Sequence, residues 1–396
     1  MVQYVLESLV RSRRRALVAY IVEHSLVLAV GSAIALVWAN TSDAERYYRI
    51  ATRLEFAVND IGMVFFFALA AKEIVEATSA GGVLHTWRRA ALPAVAAVGG
   101  MVAPALIYIA CVGYSKQMEL MTGWAVPCAT DIAFSFLVAK VIYGREPHPA
   151  IPFLLLLAIA DDALGLIILA VFYPAHELHL LIGSLLMATA LILAYGLRRA
   201  RMPNFWPYIV LGGVFSWLAL FYGGLHPALA LVPVIPFLPR AERDAGPFIE
   251  APPGARDALN RFEHAFKYPV QAVLFFFGFV NAGVRFGAVG AGTWAVTVAI
   301  ITGKPIGIGV SVALAVAAGL RLPPRLHWND VVVVGIAGGI GFTVALFFAI
   351  AAFPSGPILE QVKLGALASL GSAPLAVGVA IILRTGRFSS SSEERP

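Results

Sequence analysis

Apolar stretches long enough to cross about 30 Å of hydrocarbon recur along nearly the whole of this chain, separated by short polar punctuation. Twelve spans are predicted, at residues 17–38, 56–77, 90–111, 122–143, 150–172, 178–197, 205–222, 225–238, 267–284, 291–319, 329–353 and 363–383. The eighth is short and rich in proline. The pattern predicts an all-α polytopic membrane protein with a single transmembrane domain over residues 17–384. A basic N-terminus, 1–16, precedes that domain, and a polar tail at 385–396, expected to be disordered, follows it. The one sizeable polar interruption, 239–266, is expected to be a loop that ends in a short helix.

Two spans are poor helices at their middles. Span four carries Trp124-Ala-Val-Pro-Cys-Ala-Thr-Asp131, and span eleven carries Gly335-Ile-Ala-Gly-Gly-Ile-Gly-Phe-Thr343. Proline removes a backbone donor and clashes one turn back, and clustered glycines give up the helical preference of their neighbours. Each segment is therefore an expected break. Freed backbone groups are tolerated at membrane depth only inside protein or beside a cavity. If spans three to five and ten to twelve are inverted repeats, the two breaks take equivalent central positions, as in transporters that build an ion site from discontinuous helices near the midplane.

Composition agrees with the pattern. Of 396 residues 60% are apolar and only 13% charged, and the mean hydropathy is +0.82, whereas soluble domains are about one quarter charged. The net charge of +6 does not point to nucleic acid, because the basic residues follow topology. With twelve spans, twenty of the 29 Lys and Arg residues fall on the side of the termini and six on the other, which makes both termini cytoplasmic. The basic N-terminus leads into a full-length span without a cleavage site, so the first helix is expected to stay. Cys111 and Cys128 lie within apolar spans and offer neither a disulfide framework nor metal-ligand spacing. No Gly-rich phosphate loop occurs, so no ATP or organic cofactor is implied.

The chemistry is concentrated in a few ionisable residues inside the spans: Glu23, His24, Asp60, Lys72, Glu73, Asp131, Lys140, Asp161, Asp162 and Lys304. A carboxylate at the centre of a membrane helix costs roughly 2.5–3.5 kcal/mol on insertion scales, so such groups face cavities and carry ions or protons. Asp161 and Asp162 are adjacent, and successive helical residues point about 100° apart, so the two have different partners. Lys304 is stable at that depth if one of them pairs with it. The other, with Asp131, the Thr130 hydroxyl and carbonyls freed at the breaks, makes an all-oxygen site for a proton or a desolvated Na⁺ or Li⁺. If protonation ejects the cation and only loaded states change their facing, exchange follows.

Here the residues resemble a known family. Gly99-Gly-Met-Val-Ala-Pro104, Ala129-Thr-Asp-Ile-Ala-Phe134, Ala158-Ile-Ala-Asp-Asp162, Phe279-Val-Asn-Ala-Gly283, Gly303-Lys-Pro-Ile-Gly307 and Gly338-Gly-Ile-Gly-Phe-Thr343 resemble the signature segments of NhaA-type sodium/proton antiporters. The resemblance runs from about Trp38 to Arg384. It implies that Asp162 is the principal cation and proton carrier, that Asp161 is the partner of Lys304, and that Asp131 and Thr130 support the break of span four. The transported Na⁺ would then meet Asp162, Asp161 and Asp131. It also implies that spans four and eleven cross as broken helices whose dipole ends are balanced by Asp131 and Lys304. Glu73, Glu263 and His264 resemble a cytoplasmic pH-sensing cluster, and His226 a position linked to pH response. The location implied is a bacterial inner membrane.

The sequence departs from the family in three places. Glu73-Ile-Val-Glu76 lacks the basic pair that often follows the span-two glutamate, and Lys267 stands where a second loop histidine is common. Both departures bear on the pH set point. The stretch 39–55 looks too short for the extracellular β-hairpin that joins two protomers, which leaves a homodimer open. Plainer readings also stand: Asp131 as a half-helix cap, Lys304 as a counter-ion only, and Glu73, Glu263 and His264 as interfacial residues reaching water. A same-fold transporter of another substrate, such as an anion or organic acid, is the main rival. An intramembrane aspartyl enzyme is disfavoured, since a shared water needs its two carboxylates on separate helices; the chain reads as a transporter, not an enzyme.

Overall fold

The computed structural model describes residues 26–79, 82, 87–144, 148–240 and 257–389. The N-terminal segment 1–16, the start of the first span with Glu23 and His24, most of the 239–266 loop and residues 390–396 lie outside them. Among the described residues the chain is helical and contains no strand. Six helices are long and apolar enough to cross a membrane, or eight if each of two bent pairs is taken as one span.

After α1 (Val27–Ala39), α2 (Ala44–Phe56) continues through a π-helical turn, Ala57–Gly62, into α3 (Met63–Thr78). Together they form one helix of 35 residues. The second predicted span begins only at residue 56, because the segment before it is charged. It is helical all the same: Arg46, Arg49 and Arg53 share an exposed face while Tyr47 and Ala51 are buried on the other, the spacing of an amphipathic helix. No hairpin occupies this stretch.

α4 (Trp87–Ser115) leads to a 3-10 stretch, Met118–Cys128, then α5 (Ile132–Tyr143), α6 (Ala150–Phe172) and α7 (Leu180–Arg199). A second π turn, Tyr208–Gly213, opens α8 (Val214–Gly223). The eighth predicted span, 225–238, differs from expectation. It contains 3-10 turns at Pro227–Leu229 and Ile235–Phe237 in place of an α-helix, because Pro227, Pro233 and Pro236 remove donors that consecutive helical turns require. α9 (Ala258–Asn281) then fuses the short helix expected at the end of the polar loop with the span after it, carrying Pro269 in its interior.

α10 (Ala291–Val298), a third π turn at Ala299–Gly303 and α11 (Lys304–Ala317) form another long helix. α12 (Trp328–Ala337), α13 (Phe342–Ala352), α14 (Pro357–Ala368), a 3-10 turn at Ser369–Gly371 and α15 (Ser372–Ile382) complete the bundle. α1 packs on α9, and α4 on α11.

The α4–α11 seam fixes the backbone on which Lys304 stands. A Cβ on Gly303 would lie 2.6 Å from Pro104 Cα, and one on Gly307 would lie 2.8 Å from Ala103 Cβ. Real side chains do not approach that closely, and backbone cannot yield as a flexible side chain does. Gly303→Ala is therefore expected to force α11 away from α4, lowering thermal stability by about 1–3 kcal/mol and reducing transport with it. Purified protein of unchanged melting temperature would contradict this packing.

Candidate functional site

The expected weaknesses at Pro127 and at the Gly338–Gly341 cluster are where the helices stop. Met118–Cys128 and α5 meet at 51°, and α12 and α13 at 49°, each across a gap of no more than four residues. Ala129 and Asp131 are extended, so their backbone groups have no helical partner and must find others.

The Asp131 amide and the side chains around it find partners across the crossing. Asp131 N–H donates to Ile340 O at 2.6 Å. Thr130 Oγ1 lies 2.9 Å from Gly338 O, and Ser135 Oγ donates to Ala337 O at 2.8 Å. In the other direction, the Asp131 carboxylate accepts from Thr343 N at 3.2 Å and from the Thr343 hydroxyl. It also accepts from Phe134 N at 3.3 Å, capping its own helix. The plainer reading of Asp131 as a cap therefore holds, and its carboxylate reaches the facing half-helix as well. At both helix starts a carboxylate meets the positive end of a dipole.

α6 brings the aspartate pair to this crossing, and the two residues diverge as their 100° separation requires. Asp161 Oδ2 pairs with Lys304 Nζ at 2.5 Å and lies 2.7 Å from Thr130 Oγ1. Lys304 Nζ also donates to Thr130 Oγ1 at 2.8 Å. With one proton to give, the Thr130 hydroxyl donates either to Asp161 or to Gly338 O while it accepts from Lys304. Lys304 is 0% exposed and Asp161 2%, a degree of burial at which an ion pair stands only if its partners complete the hydrogen bonding. Asp161 Oδ1 has no hydrogen-bond partner among the described residues.

Asp162 is different. It is half-buried, and among the described residues its carboxylate makes no hydrogen bond or ion pair. It lines a cavity of about 20 Å³ together with Thr130, Asp161 and Gly165, room for about one water-sized sphere. No ready-made cluster of three His, Cys, Asp or Glu side chains suited to a metal ion exists among the described residues. The oxygens present are therefore those of Asp162 and the polar groups that share its cavity.

The remaining predicted residues fall into two groups. Glu73 and Glu263 come together through Lys72, whose Nζ lies 3.0 Å from Glu73 Oε1 and 2.7 Å from Glu263 Oε2. Glu76 joins them at 2.8 Å. His264, on the same helix as Glu263, is exposed and outside this cluster. His226 is elsewhere: its Nδ1 accepts from Ala228 N at 3.4 Å, its ring lies 4.7 Å from that of Phe347, and it faces a second cavity of about 350 Å³ shared with Glu55 and Asp60.

Sequence reasoning left Lys72 without a role and did not single out Thr343. Lys72 was legible in principle, since Glu76 stands four residues on, the spacing of a helical ion pair. Thr343 was not, because its contact with Asp131 spans 212 residues.

Comparison with known proteins adds an independent line. Residues 17–382 match the model of the family described as Na⁺/H⁺ antiporter 1. A protein of Geobacter metallireducens named Na⁺/H⁺ antiporter NhaA is 43% identical over 375 residues, covering 92% of this chain and 97% of that protein. One of the same name from Desulfitobacterium hafniense is 40% identical, covering 94% and 97%. Among solved structures, the sodium proton antiporter MjNhaP1 from Methanocaldococcus jannaschii superposes with a TM-score of 0.57 over 98% of this chain and 99% of that one, at 15% identity. That last likeness concerns the fold.

Proposed function

The chain belongs to the Na⁺/H⁺ antiporter 1 family, and from that premise we propose that it exchanges cytoplasmic Na⁺ or Li⁺ for external protons by competition at Asp162. A multi-pass membrane protein of this family is a transporter, and Na⁺ and H⁺ are its substrates. The finer reading is a twelve-span inner-membrane protein with both termini cytoplasmic and one transmembrane domain over residues 17–384. Its spans four and eleven are broken helices of two inverted repeats.

One observation carries the mechanism. Of the three carboxylates at the crossing, Asp161 is committed to Lys304 and Asp131 to Thr343 and Phe134, while Asp162 has no protein partner among the described residues and borders the cavity. A proton on Asp162 removes the negative charge that would hold Na⁺, and Na⁺ blocks the oxygen that would take the proton, so one carboxylate serves both ions in turn. Thr130 and Asp161 share the cavity with it, Asp131 joins the two half-helices beside it, and Lys304 keeps Asp161 from adding a second free negative charge. The Lys72–Glu73–Glu76–Glu263 cluster is the candidate for pH response, with His264 at its exposed edge and His226 beside the separate cavity. No resident cofactor is called for. A homodimer would have to form without a β-hairpin at residues 39–55.

The test uses inside-out vesicles from cells lacking their own sodium exchangers, with a fluorescent reporter of the proton gradient, between pH 6.5 and 9. Na⁺ and Li⁺ are expected to collapse the gradient. Well-inserted protein that responds to no alkali cation would transfer the reading to another substrate of the same fold, such as an anion or organic acid.

A further inference from the structure

The geometry points to Ser369 as a positioning residue for the ion site, acting through the first turn of α13 without itself touching the carboxylates. A helix start leaves its first amides unsatisfied, and a side chain at the cap normally accepts from them. Here the cap residue is Gly341, which has no side chain. Thr343 N is taken by Asp131. The two amides before it, Gly341 N and Phe342 N, both donate to Ser369 Oγ, at 3.2 and 3.3 Å. That hydroxyl in turn donates to Ala366 O at 2.6 Å. Two acceptor lone pairs and one proton are all a hydroxyl has, so Ser369 is fully used. It is 0% exposed, and water cannot substitute for it.

The same segment holds the opposite lip of the break. Ser372 Oγ donates to Gly339 O at 3.3 Å, one of the carbonyls left over at the end of α12. The segment between the two serines is the 3-10 turn Ser369–Gly371, which interrupts the α14–α15 helix at the level of the crossing. One turn thus grips the amide side and the carbonyl side of the gap, a cap supplied from another helix. Without the Ser369 hydroxyl, two buried donors lose their acceptor. The first turn of α13 relieves them only by moving, and Thr343, which holds Asp131, moves with it.

This inference rests on the ion-site reading above, and one experiment separates the two. Half-saturating Na⁺ and the pH profile are measured in the same vesicles for the parent, Asp162→Asn, Ser369→Ala, Ser369→Thr and Ser372→Ala. Two unsatisfied buried amides are expected to raise half-saturating Na⁺ in Ser369→Ala about tenfold, with the maximal rate little changed and the pH profile displaced. Ser369→Thr, which keeps the hydroxyl, should restore the parental value, and Ser372→Ala should shift it less. A merely structural serine would lower abundance or melting temperature and leave half-saturation and pH profile alone. Parental values of both in Ser369→Ala would overturn the proposal. If Ser369→Ala does not accumulate, Ser369→Cys, similar in size and a weak acceptor, is judged by the same criterion. A parent without a Na⁺ response, or an Asp162→Asn protein that keeps one, would instead bring down the ion-site reading, and the role of Ser369 with it.

Discussion

Asp162→Asn is expected to reduce Na⁺- and Li⁺-evoked collapse of the proton gradient to the level of vesicles lacking the protein, at unchanged abundance. The two halves of that expectation have the same cause. Asp162 has no protein partner among the described residues, so the amide breaks no contact. An isolated charge in the membrane interior is a cost to the fold, so the variant should melt no lower than the parent, and its melting temperature should not rise on adding Na⁺. Loss of exchange follows because asparagine neither carries a proton nor offers Na⁺ a negative charge. Na⁺-dependent proton movement surviving in well-inserted Asp162→Asn protein would rule out this residue as the carrier.

Lys304→Ala should behave in the opposite way, injuring the fold first. Removing one partner of a fully buried pair leaves Asp161 as an uncompensated charge, at a cost of about 3–5 kcal/mol. The Thr130 hydroxyl loses its donor as well. A sharp fall in melting temperature is the expected readout. The double variant Asp161→Asn, Lys304→Met tests the cause, since it removes both charges at similar volume and should recover most of that loss. If the single and double variants are equally unstable, packing around Lys304 matters more than its charge.

These two residues illustrate how far the sequence can be read. A carboxylate pair and a lysine in apolar surroundings are visible because charge at that depth is costly, and the adjacency of Asp161 and Asp162 already requires that they face differently. Proline and glycine announced the two interruptions for an equally local reason. Where the reading fell short, the cause was competition between neighbours in the chain or contact between strangers. Prolines turned 225–238 into 3-10 turns in spite of its apolar composition. The charged stretch before residue 56 became helix because one of its faces packs. Ser369 supports Gly341 across 28 residues, and no periodicity marks a serine whose partners are backbone amides of another helix. The Lys72 cluster needed Glu263 from α9, so only its Glu76 pair was open to inspection.

The π turn at Ala299–Gly303, directly ahead of Lys304, bears on how relatives are aligned. A π turn closes its hydrogen bond one residue later than an α turn, so it amounts to a single residue inserted into a helix that otherwise keeps its course. Each residue adds about 100° of rotation. A homologue without the insertion would present, at the same count from the start of the helix, a side chain pointing about a quarter-turn elsewhere. Its lysine would have to sit one place earlier in the sequence to meet the aspartate of α6. A gap placed after the lysine would pair Lys304 with the residue that follows its equivalent, and a true equivalent would be scored as a loss.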